Sequence, residues 1–228
     1  MPRGRPGLAS PRDPWRIIAE GIASACVVFG IQATGLPLAP LDAVPVFSGL
    51  LRSATVGILL AAVLSTFGQL AGSEVHPLLT VASIVTHGLS LARAVPRLAA
   101  QCVGGLAGGY IARVVLPGGQ APVEFLTAQG LVREAVLGFA LVLTAKGAAS
   151  RSGRRSLPAM VGLVSGLAYW MSGSTSAAHP IVLLVRTLFS GAPGLAWVIA
   201  IVVQVVGAMT AALLSRWLFR PRVDAGRT

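Results

Sequence analysis

GSEVHPLLTVASIVTHG, residues 72–88, opens with a carboxylate and a His-Pro pair and then runs apolar for only about ten residues. A helix needs about 20 residues to cross a hydrocarbon core about 30 Å thick, so the run behind His76-Pro77 is half a span. Further along, GSTSAAHPIVLLVRTLF, residues 173–189, repeats the pattern around His179-Pro180. A segment that enters a bilayer and stops there can exist only where its free backbone end is buried in protein or lines water. Two such segments, each behind a His-Pro pair, decide the fold.

The rest of the chain agrees that a bilayer is the solvent. Of its 228 residues 54% are hydrophobic and 11% charged, against about 25% charged in a soluble domain, so polar groups are too few to coat a water-facing surface. The net charge of +11 sits in short blocks between apolar runs without aromatic interleaving. That pattern reads as orientation signals at a membrane and not as a nucleic-acid surface. Cys26 and Cys102 both lie inside apolar runs, and with three histidines at these spacings they give no disulfide, zinc or haem signature. The apolar run behind the basic N-terminus is too long for a cleaved signal peptide. It reads as a first span that stays in the mature protein.

Six segments are long enough to span: 15–35, 50–71, 95–115, 131–149, 157–172 and 194–218, with proline or glycine clusters between them. An N-terminus in the cytoplasm puts fourteen of the Lys and Arg residues on that side and leaves only Arg52, Arg113, Arg133 and Arg186 on the other. This satisfies the positive-inside rule and makes both termini cytoplasmic.

The chain also repeats itself. AAQCVGGLAGGYIAR (99–113) matches VVQVVGAMTAALLSR (202–216) at Gln, Gly and the last Arg, and the spacing from His76 to Gln101 and from His179 to Gln204 is 25 residues in both halves. Glu20 and Glu134 each stand early in the first span of their half. Each half reads as span, span, half-span, span: residues 15–118 with half-helix 77–87, and residues 131–219 with half-helix 180–189, between tails 1–14 and 220–228. Three spans per half require the second copy to be inverted, which brings the two half-spans together near the midplane. His76 and His179 are then N-caps with Pro77 and Pro180 at the first helical position, where a missing N–H costs nothing. Each helix N-terminus carries about half a positive charge, so the meeting point repels cations while neutral imidazoles supply hydrogen bonds to an uncharged permeant.

These features resemble the aquaporin, or major intrinsic protein, family over about residues 14–219. The resemblance rests on the glutamates of AEG and REA, the stretch RAVPRLAAQCVGGLAGG, and the two half-helices. The family's Asn-Pro-Ala signatures are here His76-Pro77-Leu78 and His179-Pro180-Ile181. The resemblance implies an all-α membrane fold of six transmembrane helices plus two re-entrant half-helices, a homotetramer, and no cofactor, metal or covalent chemistry. It also implies that Glu20 and Glu134, with Gln101 and Gln204, form a scaffold for the loops entering the half-helices. The family's outer constriction carries an arginine directly after the second triplet, where this chain has Val182. Its other constriction positions fall on Val56, Tyr169 and Ser176. Arg186, at i+4 from Val182 on the same helix face, can return the missing charge at another depth, and Glu74 beside His76 can make a proton-sensitive gate. Gly104, Gly105, Gly108, Gly109 and Gly207 read as close helix contacts, and His87 as a loop-end residue.

The function expected is a passive channel for water or small uncharged solutes such as glycerol, urea or ammonia, with membrane lipid around it. It would sit in a bacterial plasma membrane and touch no nucleic acid. The alternatives are a proton-coupled secondary transporter using Glu74 and the histidines, and a non-conducting relative of the same fold.

Overall fold

The computed structural model of the chain describes residues 14–36, 41–71, 75–86, 88–117, 127–151, 155–173, 176–191 and 194–219. Among them the chain is all-α. Eight helices follow one another: α1 Pro14–Ala33, α2 Pro45–Ala71, α3 Pro77–Thr86, α4 Leu91–Val115, α5 Ala128–Arg151, α6 Leu157–Met171, α7 Pro180–Ser190 and α8 Gly194–Leu218, with a 3-10 turn at Leu41–Ala43. By length and composition α1, α2, α4, α5 and α8 can each cross a membrane. Helix α6, the fifth expected span and the short one of the six, has 15 residues, about 22 Å at 1.5 Å per residue. The chain is a multi-pass membrane protein, and its surface confirms the solvent: Ile58, Val103 and Leu195 are each about 70% exposed, where a water-soluble bundle would carry charge.

The packing follows the internal repeat. Helix α1 lies along α4 and α5 along α8, the first and last helices of each half, while α2 lies along α6 across the halves. Apolar side chains gain nothing by leaving lipid for one another, so such pairs depend on close backbone approach through small residues. A Cβ at Gly104 would overlap the Gly21 carbonyl, and one at Gly108 the Ala25 carbonyl, so these two glycines set the α1–α4 distance. Gly207 stands in the same way against the Ala135 carbonyl between α8 and α5. The repeat seen in the sequence is thus a repeat of helix pairing.

The short helices α3 and α7 each contact both α4 and α8, and each contacts the other. Both give way to a glycine in the left-handed region, Gly88 at φ 63° and Gly191 at φ 70°, a conformation glycine adopts without penalty. Arg216 reaches the Val85 carbonyl near the end of α3 at 3.5 Å, and Arg113, its counterpart in the repeat, lies 5.7 Å from the Phe189 ring in α7. Each short helix is met near its far end by an arginine from the last span of the other half.

Gly104→Ala should lower stability by about 1–3 kcal/mol through overpacking. Gly194→Ala, with open space around its Cβ position, should be close to neutral. Thermal unfolding of the two variants in detergent checks the pair.

Candidate functional site

The two His-Pro pairs come together. Pro77 and Pro180 open α3 and α7, and the rings of His76 and His179 stand edge to face with centroids 4.5 Å apart and planes at 63°. The N-terminal ends of both short helices therefore meet. Both histidines are fully buried, and so are Val56, Leu78 and Val182, with Ile181 nearly so.

The two rings are held differently. His76 Nδ1 accepts the Leu78 N–H at 3.3 Å, and its carbonyl accepts the N–H groups of Leu79 and Thr80. Accepting at Nδ1 places the ring proton of neutral His76 on Nε2. His179 stands at the N-cap in extended backbone, at φ −116° and ψ 108°, without a side-chain cap bond. His76 Nε2 and both ring nitrogens of His179 find no hydrogen-bond partner among the described residues. Three buried and unpaired nitrogens at one point are costly.

Two buried carboxylates frame the pair. On one side Gln101 donates to Glu20 at 2.7 Å and to Thr80 in α3 at 3.2 Å, and Ser24 donates to the Gln101 carbonyl. On the other, Gln204 donates to Glu134 Oε2 at 2.6 Å and Ser176 donates to the same oxygen at 2.7 Å. The repeat positions Glu20 and Gln101 thus match Glu134 and Gln204 in contact as well as in sequence. Ser176, expected at the outer constriction, turns its hydroxyl to Glu134 and accepts the Ala178 N–H. Between Ser176 and His179 the chain passes through Ala177 at φ 52° and Ala178 at φ 56°. Two alanines in the left-handed region cost energy that the surroundings must offset, and Glu134, through Ser176, fixes the turn that delivers His179.

A third cluster lies one turn beyond Val182. Arg186 is buried, donates from Nε to Gln32 at 3.1 Å, and holds its guanidinium carbon 6.0 Å from the centre of the Tyr169 ring. The Thr34 hydroxyl donates to the Ile31 carbonyl, so in its 2.6 Å contact with Tyr169 the tyrosine O–H is the donor. Arg52 reaches the Thr34 carbonyl and pairs with Asp42 at 2.9 Å. Arg186 and Tyr169 are brought together with Gln32 and Thr34, two residues the sequence reading did not single out. The signal was a lone amide in the apolar helix α1. Thr80 was missed in the same way. Glu74 and His87 lie outside the described residues. Among those described, no group of three or more His, Cys, Asp or Glu residues could hold a metal ion.

An all-α bundle with two half-length helices meeting N-terminus to N-terminus, inside a multi-pass membrane protein, defines a class of membrane channel. The sequence pattern of the major intrinsic protein family matches residues 9–214, and the chain belongs to that family. Family members are channels and not enzymes, and the chain falls in that class. It is 29% identical to aquaglyceroporin AqpS of Rhizobium meliloti (strain 1021) over 218 residues, 90% of this chain and 91% of that protein. Human aquaporin-4 is 35% identical over 102 residues, 41% of this chain and 32% of its own length, and bovine aquaporin-4 is 32% identical over the same shares.

Glu134→Ala leaves the Gln204 and Ser176 donors buried without an acceptor and should cost about 1–3 kcal/mol for each. Glu134→Gln keeps one acceptor oxygen and should cost less. The order of the two melting temperatures in detergent tests the assignment.

Proposed function

We propose that the chain is a passive channel for water or small uncharged solutes of the glycerol, urea and ammonia class, with its narrowest point at the histidine pair. The observation that carries this reading is the contact of His76 with His179 where α3 and α7 meet, with three ring nitrogens left unpaired. The two helix N-termini each present about half a positive charge there, which opposes cations. A neutral molecule loses water on the way in and regains hydrogen bonds from the His76 Nε2–H and from whichever nitrogen of His179 suits it. The rings touch and are fully buried, so passage requires them to part. His76 is tied to Leu78 while His179 has no side-chain bond, which makes His179 the ring that swings.

The outer stretch supports selection for uncharged solutes over strict water filtration. Val56 and Val182 present apolar walls, and the positive charge of the family's constriction moves to Arg186, packed against Tyr169. The name of the Rhizobium relative, an aquaglyceroporin, suits an opening of that width. Glu20 and Glu134 act as scaffold carboxylates in this reading, each engaged by a glutamine.

The same reading takes α6 as the sixth and shortest span, with α3 and α7 as re-entrant half-helices of an inverted repeat. It places both termini in the cytoplasm of a bacterial plasma membrane, supported by the fourteen-to-four distribution of Lys and Arg. The protomers assemble as a homotetramer, as in the resemblance.

Stopped-flow light scattering on proteoliposomes should show fast water, glycerol, urea or ammonia flux, linear in the solute gradient and indifferent to a proton gradient. His179→Ala should widen the narrowest point and raise glycerol flux about tenfold, equivalent to about 1.4 kcal/mol off the barrier, and Val182→Arg should lower it. Flux untouched by both changes would mean that the path does not run here. Saturating flux driven by a proton gradient would replace the channel by the transporter reading.

A further inference from the structure

The bond between Arg186 and Gln32 has a counterpart at the other end of the bundle. Gln32 stands twelve residues after Glu20 in α1, and the residue twelve after Glu134 in α5 is Lys146. Arg186 stands seven residues after His179, and the residue seven after His76 in α3 is Ser83. Arg186 donates from Nε to Gln32 at 3.1 Å, and Lys146 Nζ donates to Ser83 Oγ at 3.4 Å. Each short helix is thus bonded, at the same position of the repeat, to the first span of the other half. The cation changes place between the two bonds: the short helix α7 supplies it in one, and the span α5 in the other. Lys146 is the one lysine in a chain with seventeen arginines, and the repeat holds a glutamine at the matching place.

The two bonds flank the histidine pair. Helices α3 and α7 lead away from the rings, and seven residues of helix advance about 10 Å. Ser83 and Arg186 are both buried, and charges set in such surroundings are screened little by salt. Lys146 is half-buried and follows the fully buried Val142 by one helical turn. At an effective dielectric of about 20, a unit charge about 10 Å from the rings disfavours a monovalent cation there by about tenfold. Removing the ammonium lowers the local charge by one unit whatever else the lysine touches.

We propose that Lys146 is a specificity-determining residue for the half of the path beside α3, matched by Arg186 in the half beside α7, so that a cation meets a fixed positive charge from whichever side it enters. This assignment rests on the channel reading and deepens it. The two helix N-termini oppose cations at the rings, and the two side chains extend that opposition outward in both directions. An uncharged solute of the same size pays no such cost at either position.

Urea and guanidinium are planar, nearly equal in size and different in charge, so the ratio of their fluxes isolates the charge. Urea flux is read by stopped-flow light scattering and guanidinium entry with a labelled tracer, in proteoliposomes of the full-length protein with the membrane potential held at zero. Lys146→Gln installs the residue found at the matching place and keeps a donor for Ser83. It should raise the guanidinium-to-urea ratio about tenfold. Arg186→Gln should raise it by a similar factor, and the double variant further than either. Lys146→Arg keeps the charge and should keep the wild-type ratio, and so should Arg155→Gln, which removes an exposed charge just before α6. An unchanged ratio in Lys146→Gln with urea flux intact would overturn the assignment. So would an equal rise in Arg155→Gln, which would mean diffuse surface charge, or in Lys146→Arg, which would mean packing. If Lys146→Gln does not purify, Lys146→Met is judged by the same outcomes. Absence of urea flux in the wild type would instead remove the solute-channel reading and this assignment with it, so the two failures are distinguishable.

Discussion

A helix that stops inside a bilayer leaves backbone N–H groups where no water can reach them, and the rest of this structure is arranged around that cost. Proline at the first helical position removes one donor from each short helix, and the histidine before it takes others through its carbonyl and, in α3, through Nδ1. In the second half the loop residue Ser176 donates to Glu134, and in the first Gln101 joins Glu20 to Thr80 in α3. Buried polar groups are costly unless paired, and here each glutamate accepts a hydrogen bond from a glutamine. The pairing of α1 with α4 and of α5 with α8 through glycine places Glu20 against Gln101 and Glu134 against Gln204. Close backbone packing is thus the precondition for the polar centre.

The two halves are alike in plan and unlike in tension. His76 enters α3 with its ring fastened, whereas His179 enters α7 from two alanines in the left-handed region with its ring unfastened. Strain of this sort survives only when several contacts over-determine the conformation. Here the Ser172–Ser176–Glu134 sequence of hydrogen bonds does so, with Ala177 and Ala178 fully buried. The rigid turn delivers a backbone position accurately and leaves the side chain it carries free. In the proposed channel, a fixed ring opposite a loose one would close the passage at rest and yield to a small molecule.

Much of this was legible in the chain. The short helices begin at the prolines that mark them, and the spacing from histidine to glutamine carried the repeat into the pairing of α4 and α8 with the glutamates. Helix ends were less legible. Helix α2 starts at Pro45 and α4 at Leu91, each several residues before its apolar run, because proline in an early turn and arginine near a membrane surface continue a helix without adding hydropathy. The cluster of Gln32, Thr34, Tyr169 and Arg186 was half seen. Its members stand up to 154 residues apart, and no local periodicity reports a contact between helices that distant. The left-handed pair Ala177 and Ala178 carried no signal at all, since it is glycine, asparagine or aspartate that marks such positions in a sequence.

On the proposed channel reading, the exchange of asparagine for histidine accounts for the change in the outer residues. An asparagine at a helix N-cap accepts a backbone N–H with its oxygen and keeps an NH₂ for a permeant, all within a small volume. A histidine divides the same two tasks between Nδ1 and Nε2 but fills more space, and two of them facing each other meet at 4.5 Å. The point that a pair of asparagines would leave open is therefore occupied by rings. Selection that an outer arginine exerts in the family can then be made at the rings themselves, by the work of parting them and by the hydrogen bonds a solute must offer. Under that proposal, discrimination moves inward and a valine at 182 is tolerated. On the same proposal Arg186, one turn on and packed against Tyr169, keeps a positive charge near the proposed path without narrowing it at the depth where the family does.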